Sequence, residues 1–213
     1  MLTLDHLTII APSLEEGVAH VRDCLDIDMP SGRKHPDMGT HNHVLRLGDD
    51  VYLEVIAIDL TAPAPTQARW FGLDDRDSVR AAWDSGHRLR GWVARTQQID
   101  AVLAQHGHLL GRKTQLSAGA APPYSFAIPP GGTLPLAGVA PSVIDRGQRP
   151  PPIAAMPDLG ARLASFTLEH PDPYSVEALY AALDAKHAPQ VQKGDAVRYR
   201  ADIRTPVGMK TLY

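Results

Sequence analysis

The chain has 213 residues, enough for a sizeable core, and its 44% hydrophobic and 21% charged residues are those of a globular protein. A formal net charge of −3 argues against a broad electrostatic footprint for nucleic acid or an anionic membrane, and no apolar stretch has the length of a bilayer span. The single cysteine, Cys24, excludes an internal disulfide framework, and the N-terminus lacks the basic region of a signal peptide; a reducing cytoplasm is the expected setting.

Residues 3–11 are rich in β-formers and predict a strand. Pro12-Ser13 follows, and Ser13 with Glu16 fits a capping box. Leu14, Val18, Val21, Cys24 and Leu25 then share one helical face, so Cys24 is expected to be a buried, inert thiol. After a Pro- and Gly-rich loop, HNHVLRL-GDD-VYLEVIAID predicts a hairpin. The first sixty residues therefore predict a βαβββ unit.

The pattern starts twice more. RLRGWVAR at 88–95 predicts a strand, Gln97–Gly107 a helix, and YSFAIPP and LPLAGVAPSVI further strands. RLASFTLEHP, a helix from about Tyr174 to Ala185 and the closing hairpin VRYRADIR-TPVG-MKTLY make the third start. The expected modules cover about 1–60, 88–145 and 162–213. The fold class is α+β, with repeated βαβββ modules forming curled mixed sheets around a cavity and helices outside.

A two-residue side-chain period puts Leu4, His6, Thr8 and Ile10 on one face of the first strand and Leu7, Ile9 and Ala11 on the other. Tyr52, Glu54, Ile56 and Ile58 likewise share a face. A three-residue turn pairs Leu47 with Val51 and sets Val44 opposite Glu54. Asn42, Val44 and Arg46 then join the Glu54 face, and His41 and His43 point away. That register also gathers Leu45, Leu47, Leu53 and Val55 against the helix. Trp70 and Phe71, beside Arg69, are candidates to wall a pocket or to clamp a linker to the core.

Tandem βαβββ modules opening with LDHLTI and closing with YLEVIAID resemble the vicinal oxygen chelate superfamily. GTHN, YLEVIAID, ARWFGLD, YSFAIPP and LASFTLEHPDP, in that order, resemble its bacterial glyoxalase-like domain group. The resemblance spans nearly the whole chain. It implies that the first and last strands of a module lie side by side, so that His6 and Glu54 meet over a cavity. It also implies, in many members, a divalent ion chelating two substrate oxygens. His6 and Glu54 are the expected ligands for Zn, Ni, Mn or Fe, with the third ligand unassigned and His43 the weakest candidate; a metal-free site is the equal alternative. Where members often carry a Trp and then His-Pro, this chain has Ile144-Asp145-Arg146 and Arg149-Pro150.

A buried carboxylate inside VYLEVIAI is costly unless paired or metal-bound. A satisfied His6–Glu54 pair with no further role is one reading. In the other, Glu54 and His6 are catalytic, and Arg46, Asn42, Tyr52, Thr8 and Trp70 bind substrate. Alignment of the starts sets Ser165 and Thr211 in the places of His6 and Glu54, and Gly91 or Trp92 in that of His6 in the middle copy. One site per chain follows, lined chiefly by the first module. The expected function is metal-assisted lyase, isomerase or dioxygenase chemistry on a small carbonyl, enol or epoxide compound. If no metal is bound, Glu54 is a general base; the alternative function is sequestration of a small molecule without turnover. The expected partners are that small molecule and, in a homodimer, a second copy of the chain.

Overall fold

The computed structural model describes residues 1–118, 121–149 and 152–213. The first module is β1 (Leu2–Ile10), α1 (Leu14–Leu25), β2 (Ser31–His35), β3 (Thr40–Arg46) and β4 (Tyr52–Ile58). A linker carrying α2 (Arg76–Asp84) leads to β5 (Leu89–Thr96), α3 (Ile99–Leu110), β6 (Arg112–Ala118), β7 (Ala121–Ile128) and β8 (Ser142–Asp145). The chain ends with β9 (Arg162–His170), α4 (Pro173–Ala182), β10 (Ala185–Lys186), β11 (Gln190–Lys193), β12 (Arg198–Thr205) and β13 (Gly208–Leu212).

The first two modules make one curled sheet of order β2-β3-β4-β1-β5-β8-β7-β6. Within each, the first strand runs parallel to the last: β1 beside β4, β5 beside β8. The modules join where β1 and β5 pair antiparallel. The hairpin has the register that puts Val44 opposite Glu54 and Leu45 opposite Leu53, with Leu47 N–H bonded to Val51 O at 2.9 Å.

The helices cover one face of this sheet. Leu7, Ile9, Leu53 and Val55 are wholly buried there with Val21 and Leu25 of α1. Each such side chain contributes about 1.5–3 kcal/mol by leaving water. Gly17 lets α1 sit down on β4, since a Cβ at that position would fall 2.3 Å from the Val55 side chain. The Ser13 cap forms as expected, its Oγ accepting from Glu16 N–H at 3.2 Å. The other face carries a second apolar cluster, with Ile10, Ile56, Trp70, Phe71, Val93, Phe126 and Ile144.

Strict alternation fails at one point in β1. Leu4 pairs with Ala94 but His6 pairs with Val93, so Asp5 is an extra residue in a β-bulge. Leu4 consequently joins Leu2, Leu7 and Ile9 on the helix side instead of sharing a face with His6.

The C-terminal segment does not repeat the module's strand order. Its sheet runs β11-β9-β12-β13, with β9 parallel to β11 and antiparallel to β12. The short β10 leaves it to pair with β1. Left-handed backbone at Asp184 and His187 brackets β10. The order strand, helix, strands recurs along the sequence, but that order alone does not dictate which strands pair. This layer packs on the helix side of the main sheet: Tyr180 and Tyr199 donate to Val139 O (2.9 Å) and Gly138 O (2.7 Å). Among the described residues no helix is long and apolar enough to cross a membrane.

Candidate functional site

The face away from α1 and α3 borders a cavity of about 710 Å³. The first module supplies His6, Asn42, Val44, Tyr52 and Glu54, and Trp70 and Phe71 close part of the wall. Tyr124, Phe126, Ile144 and Arg146 of the second module complete it. The first module supplies the largest share of this lining, as expected, and the second closes the cavity.

At its base is a chain of charged groups. His6 is stacked on Tyr52, ring centroids 4.5 Å apart. Its Nδ1–H donates to Asp5 Oδ1 at 2.7 Å and its Nε2–H lies 3.2 Å from Glu54 Oε2. Asn42 Nδ2 donates to Glu54 Oε1 at 2.5 Å. Arg146 grips Asp5 with both Nη atoms, at 2.7 and 3.0 Å, and also donates to the Tyr52 hydroxyl at 3.1 Å. Two carboxylates therefore face one imidazole and one guanidinium, all buried or nearly so.

These contacts set the protonation states. Burial alone would neutralise His6, but its bonds to Asp5 and Glu54 outweigh that and raise its pKa above 6.5. Burial works against the Glu54 anion too, and the bonds from His6 and Asn42 hold its pKa below the usual carboxylate value. Asp5 is likewise held low, against its burial, by His6 and Arg146. The ground state is an imidazolium clasped between two carboxylates. Tyr52 is pushed up, chiefly by burial, and stays a neutral phenol.

Most of the expected residues gather here: His6, Glu54, Asn42, Tyr52 and Trp70 all line the cavity. Three do not. Arg46 shares the Glu54 face, but its guanidinium turns back onto the hairpin, bonding Gly48 O at 2.8 Å and Asp49 at 2.6 Å. Thr8 is wholly buried outside the lining, its hydroxyl without a hydrogen-bond partner among the described residues. His43 points away, as the register requires, and bonds Met29 O at 2.9 Å. Ser165 and Thr211 lie on the C-terminal sheet, both bonded to Asp202. Asp5, Arg146 and Tyr124 went unread in the sequence; an Asp adjoining a His inside an apolar run was the available signal for Asp5.

The donor set does not fit the divalent ion that the resemblance implies. Nδ1 of His6 is committed to Asp5, so only Nε2, 3.2 Å from Glu54 Oε2, could be offered to a metal. Glu54 Oε1 is covered by an amide N–H. In the second module Val93 pairs with His6 across the join, and Ile144 stands on the strand matching β4; both are apolar. Among the described residues no group of three or more His, Cys, Asp or Glu is arranged as a metal site.

A neighbouring device holds Asn42. Its Oδ1 accepts from the Arg33 backbone N–H at 2.6 Å, tying the edge strand β2 to Glu54 through one amide. Gly32 permits that approach, since a Cβ there would lie 2.1 Å from Asn42 Oδ1.

Comparisons with known proteins agree with this architecture. A hypothetical protein from Staphylococcus aureus has a similar fold, with a TM-score of 0.58 at 9% identity over 93% of this chain and 89% of that one. Methylmalonyl-CoA epimerase from Mycobacterium tuberculosis is more distant in shape, with a TM-score of 0.43 at 18% identity over 71% of this chain and 91% of that one. No curated protein matches the chain. The family model described as a glyoxalase-like domain matches residues 4–183. The chain belongs to the glyoxalase-like domain family.

Proposed function

We propose that the protein moves a proton at a carbon next to a carbonyl group of a small molecule, with Glu54 as the base. The observation that carries this reading is a desolvated carboxylate at the base of a cavity with an aromatic wall, held by one imidazolium and one amide. Such a group is ionised at neutral pH and positioned without water. A substrate carbon over Glu54 would give its proton to the carboxylate, and the C–H electron pair would pass to the carbonyl oxygen as an enolate. Return of a proton to the opposite face of the same carbon completes an epimerisation. Arg146 lies in the same wall to offset the developing negative charge. Trp70 adds a donor: its buried Nε1–H has no partner among the described residues. When substrate draws Glu54 away from His6, the carboxylate loses the partner that weakens it as a base. His6 stays protonated through its bond to Asp5.

A second reading has its own support. Both oxygens of Glu54 are already engaged, which suits a cavity that binds a carbonyl compound without turning it over.

The test is deuterium exchange at the carbon next to the carbonyl. A panel of 2-oxo acids and 2-hydroxy aldehydes is incubated with protein in D2O and followed by proton NMR, with binding read by titration. Exchange is expected from the wild type, and Glu54→Gln is expected to slow it by about 10²–10⁴-fold with binding retained. Binding without exchange would establish the second reading. No binding by any member of the panel would overturn both.

A further inference from the structure

We propose that a smaller cavity behind Arg146 and Arg149 is the subsite for an anionic end of the substrate, a phosphate or a carboxylate. It rests on the proton-transfer reading, because it gives that substrate its second anchor. The cavity has a volume of about 460 Å³ and is bordered by Thr3, Arg95, Gln97, Gln98, Arg146 and Arg149. Arg146 and Arg149 also border the larger cavity, so the two spaces share a wall made of two guanidiniums.

The charges in that wall are not equivalent. Asp5 offsets Arg146. Arg149 instead donates to three carbonyls: Arg146 O at 3.0 Å, Pro122 O at 2.7 Å and Pro123 O at 2.8 Å. Carbonyls fix the plane of a guanidinium and leave its full positive charge in place. No acid lines the smaller cavity. The four residues at 119, 120, 150 and 151 are Gly, Ala and two Pro, so they supply none. The neighbouring Asp145 has both oxygens turned to backbone, accepting from Gly147 N–H at 2.7 Å and Ile99 N–H at 3.1 Å. Arg95 is held by Leu4 O and Asp50 O, each at 2.8 Å, and meets the exposed Asp50 carboxylate only at 3.6 Å. Gln97 and Gln98 add amide donors.

The two cavities therefore divide by chemistry. Trp70, Phe71 and Phe126 in the larger one suit a carbon skeleton, with Glu54 at the reacting carbon. The smaller one is bordered by three arginines and two amides, with Met1 and the arginine stems as its apolar part, and that concentration of cations suits an anion. The substrate class implied is a carbonyl compound with an acidic group a few bonds from the reacting carbon.

Inorganic phosphate is the probe. It is titrated into the intact protein at constant ionic strength, so that screening does not change. Binding is read by thermal midpoint and by phosphorus NMR, for the wild type and for Gln98→Glu, Arg149→Gln and Glu54→Gln. Phosphate should stabilise the wild type in a concentration-dependent way. Gln98→Glu, which sets a carboxylate in the smaller cavity, should weaken phosphate about tenfold, and Arg149→Gln should weaken it similarly. Glu54→Gln should bind phosphate as the wild type does while losing proton exchange, so this subsite and the proton-transfer reading fail separately. No stabilisation of the wild type, or phosphate binding unchanged in both Gln98→Glu and Arg149→Gln, would overturn the proposal.

Discussion

The first module and the C-terminal sheet each gather polar side chains on one face of neighbouring strands. In the C-terminal sheet Ser165 and Thr211 lie directly opposite Asp202 on either side, and each donates to it at 2.8 Å. Arg200 adds a bond to the same carboxylate at 2.9 Å. That row is open to solvent: the Asp202 side chain is 23% exposed and Arg200 47%. In the first module Asp5 is fully buried and His6 and Glu54 nearly so, because a second module curls against the same face. The residue types differ less than the surroundings do. Where no second module covers the face, a hydrogen-bonded carboxylate is ordinary surface. Where one does, the carboxylate is desolvated, its partners fix its charge, and a cavity remains beside it. Pairing decides this as well, since β1 meets β4 in parallel but β9 meets β12 antiparallel.

The largest expected effect separates the two regions by stability. Asp5→Asn leaves Arg146 and the His6 imidazolium without a shared anion in the interior, and should cost about 3–5 kcal/mol. Denaturant unfolding measures it, and a cost near that of a surface change would mean the cluster is hydrated. Next is pH. Asp5 and Glu54 have lowered pKa values, so their stabilisation is complete above the usual carboxylate range and is lost as pH falls through the folded values. Asp202 is lowered too and acts with the same sign. His6 is raised: its stabilisation is complete below 6.5 and is lost as pH rises through its folded value. Burial lowers His20, His35 and His87, so they favour the folded state as pH rises and cannot produce that loss. A decline in stability just above neutrality, below the range in which the raised Tyr180 and Tyr199 act, and absent in His6→Gln, should therefore mark the first module; thermal midpoints across pH would show it. The smallest effect belongs to Asp202→Asn, expected at under about 1 kcal/mol because its partners are solvated. A cost matching that of Asp5→Asn would erase the contrast.

Much of this was legible in the sequence. A period of two and a three-residue turn set Asn42, Val44, Tyr52 and Glu54 on one face, the family resemblance implied that His6 meets them there, and aromatic content marked Trp70 and Phe71. Arg46 lies on the same face, yet it sits at the hairpin end, where Gly48 O and Asp49 capture a long side chain; alternation gives direction but not reach. Arg146 bonds a carboxylate 141 residues earlier, a distance over which no local pattern operates. Tyr124 and Ile144 were out of reach for a related reason: a module read singly does not show what a second one adds to its cavity. The C-terminal sheet defeated the repeat because Ser165 and Thr211 follow the element order of His6 and Glu54 without following their strand pairing.

The extra residue in β1 turns one strand into two segments of opposite phase. Even-numbered Leu2 and Leu4 face the helices before it, and odd-numbered Leu7 and Ile9 do so after it. Two residues separate Leu4 from Leu7, one more than plain alternation needs, and the bulge absorbs the surplus. Replacing Asp5 or His6 would change the chemistry of the cavity and leave the apolar layer in step. Removing either would also leave Leu2, Leu4, Leu7 and Ile9 in step, now on an unbulged strand, but would take away one member of the acid–imidazole pair. The same phase change brings consecutive residues, which an unbroken strand would send to opposite sides, into a hydrogen bond of 2.7 Å. The acid and the imidazole at the centre of the site are thus a dipeptide, two adjacent codons that any duplication or recombination of this strand would carry together.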